Sequence, residues 1–136
     1  MRLIIGGSYQ GKLAYAFRLV GQEKDPEKQK NLVADGDVDS LEAAWNRPIV
    51  DHVQSYIRRI LEEAGNSEET VISYIDRIQN ENPQVILVMD EIGYGIVPMS
   101  QAERIYRECV GRAGQRLALE AESVDRVVCG IATKIK

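Results

Sequence analysis

Val85-Ile86-Leu87-Val88-Met89 is an unbroken apolar run that stops abruptly at two acids, Asp90-Glu91. An amphipathic helix would interrupt such a run with polar residues every three or four positions, whereas a strand buried on both faces would not. Strands of that kind belong to parallel sheets covered by helices. Leu3-Ile4-Ile5, ended by Gly6-Gly7, has the same character; Leu32-Val33-Ala34 is a further short candidate, and Val124 to Val128 supplies a last one.

Helical periodicity fills the intervals. Lys12 to Val20 closes at Gly21, and residues 22–29, with Asp25-Pro26 among charges, read as a solvated loop. Asp35-Gly36-Asp37 is a turn signal, after which Asp39 and Glu42 suit a capping box for a short helix through Trp45. Pro48 fits a first helical turn, followed by Ile49, Val53, Tyr56, Ile57, Ile60, Leu61 and Ala64 at helical spacing up to Gly65. Asn66 with Glu69, or Ser67 one step on, caps a helix striped by Val71, Ile72, Ile75 and Ile78. Ser100 and Glu103 open a longer one with Ile105, Tyr106, Cys109, Val110, Ala113, Leu117 and Ala121 inward. Strands alternating with helices imply right-handed crossovers, and so a mostly parallel sheet with helices on both faces. Ligands then belong at the carboxyl ends of the strands.

With 136 residues the chain has room for one domain, 1–136. Seventeen Lys+Arg against 21 Asp+Glu leave a formal charge of −4. That argues against a nucleic-acid partner held by general phosphate attraction. No run approaches the roughly 18 apolar residues of a membrane span, and the opening MRLIIGG is too short for a secretory signal. The expectation is a cytoplasmic protein with Cys109 and Cys129 as free buried thiols.

Directly after the first strand, Gly6-Gly7-Ser8-Tyr9-Gln10-Gly11-Lys12-Leu13 fits G-x-x-x-x-G-K-[ST] at every position except the last. Glycines let such a loop curl its backbone N–H groups around phosphate oxygens, the following helix adds its positive end, and Lys12 neutralises the terminal phosphates. Leu13 stands where a hydroxyl would ligate Mg²⁺, and its side chain has no atom that can do so. The alternative is a glycine-rich turn with an exposed lysine. Asp90 and Glu91 at the end of a buried strand, and Asp37 after the second strand, are the candidate metal ligands, with turn formation and capping as the competing explanation for Asp35 and Asp37. The loop Gly93-Tyr94-Gly95-Ile96-Val97-Pro98 is stiff and apolar enough to wall a site. Arg104, Arg107, Arg112 and Arg116 share a helix face with Glu108, which suits either phosphate contacts or a face of surface ion pairs. His52, the single histidine, has no neighbour in sequence that orients it as a base or nucleophile, and reads as structural. Trp45 and Tyr56 read as core or interface residues.

The stretch Val88-Met89-Asp90-Glu91-Ile92-Gly93-Tyr94-Gly95-Ile96-Val97-Pro98 resembles a signature of the bifunctional adenosylcobinamide kinase/adenosylcobinamide-phosphate guanylyltransferase family. The resemblance continues through Arg104, Tyr106-Arg107, Gly111-Arg112, Gln115-Arg116-Leu117-Ala118, Gly130-Ile131 and Lys134-Ile135-Lys136; Gly6-Gly7 to Gly11-Lys12 is similar to that family's phosphate loop. It implies a three-layer P-loop NTPase-like α/β fold, a homotrimer, and the use of ATP or GTP with Mg²⁺. The implied reactions are phosphorylation of adenosylcobinamide, a corrinoid, and then attachment of GMP through a guanylylated histidine. The chain departs from the pattern at Leu13 and at Asp90, where the family usually has Asn, and lacks the central segment that carries the acceptor histidine; His52 does not match that motif. It looks like a compact branch of the family.

Two readings follow. In the first the chain is a cobinamide-kinase-type transferase in which Gly6, Gly7, Ser8, Tyr9, Gln10, Gly11, Lys12 and Leu13 bind nucleotide, and Lys12 and Glu91 carry catalysis. In the second it is a non-catalytic nucleotide- or corrinoid-binding regulatory module with a degenerate loop.

Overall fold

The computed structural model describes residues 1–22, 24–65, 67–93, 95 and 98–136. At the middle of its sheet lies β1 (Arg2–Gly6), flanked by β4 (Ile86–Asp90) and β5 (Ser123–Val128), both parallel to it. Beyond β4 follow β3 (Ile49–Asp51) and β2 (Val33–Asp35), also parallel, while β6 (Ile131–Lys134) closes the other edge antiparallel to β5. The order is β2-β3-β4-β1-β5-β6.

Successive residues of a strand face opposite sides of its sheet, and both sides are apolar here. Ile4, Ile49, Val88 and Val127 meet Ala16 and Phe17 of α1 (Lys12–Leu19) on one face. Leu3, Val50, Leu87 and Met89 meet α3 (Val53–Glu63), α4 (Glu68–Glu81) and α5 (Gln101–Glu120) on the other. The fold is therefore the expected α/β sandwich of a mostly parallel sheet between two helical layers. α2 (Pro26–Leu32) buries no residue, and a 3₁₀ helix spans Leu41–Trp45.

Several local expectations need correction. Ile49 begins a strand, not a helix: Ile49 and Val50 are wholly buried between β2 and β4, and the helix starts only at Val53, after His52 turns left-handed at φ 50. Within the supposed loop of residues 22–29, α2 begins at Pro26, because Pro26 sits at the start of a turn whose Lys28 N–H is capped by Asp25. Asp39 does not cap the short helix. Its carboxylate accepts the N–H of Asp35 at 2.8 Å, and Ser40 takes the cap position without a side-chain bond. Ser67 caps α4 through Thr70 N–H; Asn66 lies outside the described residues. Cys109 is buried as expected, but Cys129 is exposed, because it forms the tight β5–β6 turn.

Candidate active site

Register sets the site. Gly6 lies beside Asp90 and Asp35 beside Asp51, so the last residues of four parallel strands align along one rim of the sheet. Above that rim opens a cleft of about 490 Å³, lined by the phosphate loop from Ser8 to Leu13 and by Asp37, Asp51, His52, Gln54 and Asp90, among others. This volume is in the range of small-ligand sites.

The loop needs its glycines at two points. A Cβ on Gly6 would collide with the carbonyl oxygen of Val127, and Gly11, at φ 87, caps α1 with Gly130 Cα packed against the place a side chain would occupy. The loop is also tied to the β5–β6 turn: Gln10 accepts the Cys129 N–H on its side-chain oxygen at 2.6 Å and the Gly130 N–H on its carbonyl at 2.9 Å.

Lys12 does not reach into solvent. Its side chain is only 7% exposed, and its ammonium donates to Gly7 O at 2.8 Å and pairs with Asp90 Oδ1 at 2.5 Å. Ser8 Oγ donates to the other Asp90 oxygen at 2.6 Å, and Asp90 N–H donates to Gln54 Oε1. Burial pushes the Asp90 carboxyl up, but the hydrogen bonds from Lys12 and Ser8 together with the Lys12 charge outweigh it and hold the group below the ordinary aspartate range.

On the opposite wall His52 Nδ1 lies 2.8 Å from Asp35 Oδ1, 3.4 Å from Asp37 Oδ2 and 3.8 Å from Asp51 Oδ2. Burial disfavours the charged imidazole, yet the bond to Asp35 and the charges of Asp51, Asp37 and Asp35 outweigh it and raise its pKa. Asp51 is pushed up mainly by burial, with the Asp35 charge adding to the rise against the lowering influence of His52 and Lys12. Arg59 pins the intervening turn by donating to Gly36 O at 3.2 Å and Asp39 O at 2.6 Å. This cluster is what the linear sequence hid. Asp35 and His52 are 17 residues apart and meet because β2 and β3 end in register.

The structure thus brings Ser8, Tyr9, Gln10, Gly11, Lys12, Leu13, Asp37 and Asp90 to one cleft, with Gly6 and Gly7 at its base. Glu91 goes elsewhere. Its carboxylate pairs with Arg126 at 2.9 Å, and it lines a separate hollow with Ile92, Gly93, Val110, Gly111 and Gly114. The arginines of α5 form ion pairs away from the cleft, Arg112 with Glu68 and Arg116 with Asp76, while Arg104 donates to the carbonyls of Pro98 and Met99. Of the glycine-rich wall after Glu91, Tyr94, Ile96 and Val97 lie outside the described residues. Oxygen donors suited to a magnesium ion are present around the cleft in Asp37, Asp51 and Asp90, although Leu13 supplies none.

A glycine-rich loop between a central parallel strand and a helix, with an acid from the neighbouring strand on its lysine, is the arrangement of the P-loop α/β class. Within that class the chain belongs to the CobU family, described as cobinamide kinase / cobinamide phosphate guanyltransferase, whose profile matches residues 27–135. The phosphate loop itself precedes the matched residues. The bifunctional adenosylcobalamin biosynthesis protein CobU of Escherichia coli (strain K12) is 43% identical over 76 residues, 56% of this chain and 41% of that protein. Its namesake from Salmonella typhimurium (strain LT2) is 49% identical over 53 residues, 39% of this chain and 29% of its own length. These alignments span less than half of either relative.

Proposed function

We propose that the chain is a nucleotide-dependent phosphotransferase of cobinamide-kinase type, which binds ATP or GTP on the loop from Gly6 to Leu13 and passes the terminal phosphoryl group to a hydroxyl of a corrinoid. The observation that carries this reading is Lys12: a lysine folded back at the head of α1, held by Asp90 and Gly7 O at the floor of the cleft. An ammonium so placed exchanges one anion for another. Incoming phosphate oxygens take over the charge of Asp90, and the backbone N–H groups of the loop receive the rest of the phosphate chain.

Phosphoryl transfer asks little covalent chemistry of the protein, so the residues act by alignment and by neutralising charge. Lys12 offsets the charge on the terminal phosphates, and the loop, fixed by Gln10 to the β5–β6 turn, keeps that charge in line with the acceptor. Asp90, released from Lys12, would hold a divalent cation in place of the hydroxyl that Leu13 lacks, and the cation would supply further neutralisation of phosphate charge. We assign the acid of the cleft to Asp90 because Glu91 is engaged by Arg126 outside it. Guanylyl transfer is left out of the reading, since His52, the single histidine, is engaged by Asp35 and does not match the acceptor-histidine motif that the resemblance implies.

Leu13 favours a second reading, a binding module without turnover. One experiment separates the two. ATP, GTP and GDP are titrated calorimetrically with and without Mg²⁺ into the native chain and Lys12→Ala, and release of nucleoside diphosphate (ADP or GDP) is followed after adding adenosylcobinamide. A transferase binds triphosphate at micromolar concentration, needs Mg²⁺ for tight binding, and releases nucleoside diphosphate only with the acceptor. Lys12→Ala weakens binding by about 10- to 100-fold, the scale of a lost charged hydrogen bond. Binding without release supports the module; no nucleotide binding at all overturns the transferase and the nucleotide-binding form of the module.

A further inference from the structure

A second hollow opens beside the cleft. It measures about 460 Å³ and lies between α1 and α2, lined by Leu13, Ala14, Phe17, Arg18 and Gln29. Leu13 and Ala14 also line the main cleft, so the two spaces meet at the first turn of α1, where the glycine-rich loop ends. Packing leaves this space open, because α2 buries no residue and so does not close on α1.

The helical repeat divides its lining. Leu13 and Phe17, four residues apart, form one row of α1, and Ala14 and Arg18 form the next. The first row is apolar; the second runs from a small side chain beside the cleft to a cation one turn, about 6 Å, further along the axis. The polar groups at the far end are largely uncommitted. Arg18 makes one long hydrogen bond, to Gly130 O at 3.4 Å, and its other N–H groups have no hydrogen-bond acceptor among the described residues. Gln29 donates its Nε2 to Gln22 O at 2.7 Å, which fixes the amide and leaves Oε1 without a donor among the described residues. An apolar floor that ends in a forked donor and one fixed acceptor suits a flat heterocycle with both kinds of polar edge.

We infer that this hollow is the base subsite for a nucleotide held on the loop from Gly6 to Leu13, and that Arg18 and Gln29 make it select guanine over adenine. The inference rests on the reading of that loop as a nucleotide site, but not on turnover. With the phosphates on the loop, the ribose crosses Ala14, whose small side chain lets it pass, and the base lies against Leu13 and Phe17. Guanine presents O6 and N7 as adjacent acceptors, which the fork of Arg18 takes together, and its amino edge supplies the donor that Gln29 Oε1 lacks. Adenine offers N7 but sets an amino donor against the guanidinium where guanine has O6. Leu13, which has no atom for a metal, acquires a use as part of the floor.

Calorimetric titration of GTP, ATP and inorganic tripolyphosphate into the native chain, Arg18→Lys and Gln29→Ala, with Mg²⁺ present and no acceptor, tests this. The native chain is expected to bind GTP about tenfold tighter than ATP, and both tighter than tripolyphosphate. Arg18→Lys keeps the charge but loses the fork, and Gln29→Ala removes the acceptor. Each lowers GTP affinity by about tenfold and narrows its lead over ATP, while tripolyphosphate, which needs only the loop, binds as before. Arg18 is exposed and Gln29 sits on a helix that buries nothing, so both variants keep the fold, and retained tripolyphosphate binding checks it. Equal affinity of the native chain for GTP and ATP, unchanged GTP binding in either variant, or an equal loss for GTP and tripolyphosphate overturns the inference. If tripolyphosphate and both nucleotides bind alike, the loop reading stands and the base subsite falls; if none of the three binds, the loop reading itself falls and takes the subsite with it.

Discussion

Lys12 and Asp90 bear on each other more closely than any other charged pair in the cleft, at 2.5 Å with Ser8 completing the Asp90 shell at 2.6 Å. A triphosphate has to separate them before it can use the lysine. Asp90→Asn keeps the side chain's size and removes its charge, so without magnesium it should tighten triphosphate binding a few-fold, the scale of a half-buried ion pair; calorimetry reads this directly. The same pair sets a pH dependence. Because the folded-state pKa of Asp90 is lowered, its contribution to stability is fully present above the unfolded value near pH 4 and is lost as pH falls through the lower folded value. In denaturant titrations between pH 3 and 6, the stability gap between the native chain and Asp90→Asn should therefore close towards the acid end. Residue types in sequence revealed the glycine-rich loop after β1 and the acid that ends β4, since both lie within a few positions of their signal. They could not reveal that Glu91 would point to Arg126, because one step along a strand reverses a side chain's face.

Elements were legible in proportion to their length and punctuation. α5 carries its own start signal, with Ser100 Oγ accepting the Glu103 N–H at 3.2 Å, and its inward residues Tyr106, Cys109, Val110, Ala113 and Leu117 are buried as their spacing predicts. Ser100→Ala should cost about 1 kcal/mol in chemical denaturation, the usual worth of such a cap, with the unfolding slope unchanged. β3 was illegible for the opposite reason. Three residues, Ile49–Asp51, give no period of their own, and their apolar members happen to extend the helical stripe of α3. Only burial between two neighbouring strands decides the matter, which is a tertiary fact. α2 was illegible for a different reason: a helix with no buried residue shows no apolar stripe, and its Asp25-Pro26 start among charges reads as a loop.

Taken as a whole, the molecule places its binding cleft where the fold class dictates, over the carboxyl ends of β1 to β4, and that much follows from the alternation of strands and helices. What alternation does not foretell is the antiparallel β6, which brings the β5–β6 turn onto the phosphate loop. Through Gln10 this turn is tied to the loop proposed to grip phosphate. Gln10→Ala should lower nucleotide affinity several-fold while changing global stability by no more than about 1.5 kcal/mol, since it removes one hydrogen bond at the surface; paired calorimetry and thermal unfolding distinguish the two effects.

The same turn carries Cys129, whose sulfhydryl is exposed while burial raises the pKa of Cys109 and keeps that thiol unreactive. A fluorophore attached to Cys129 would sit one peptide unit from the bonds that hold Gln10. The unaltered sequence thus supplies its own reporter, a label whose brightness is expected to change as the proposed nucleotide enters and leaves the loop.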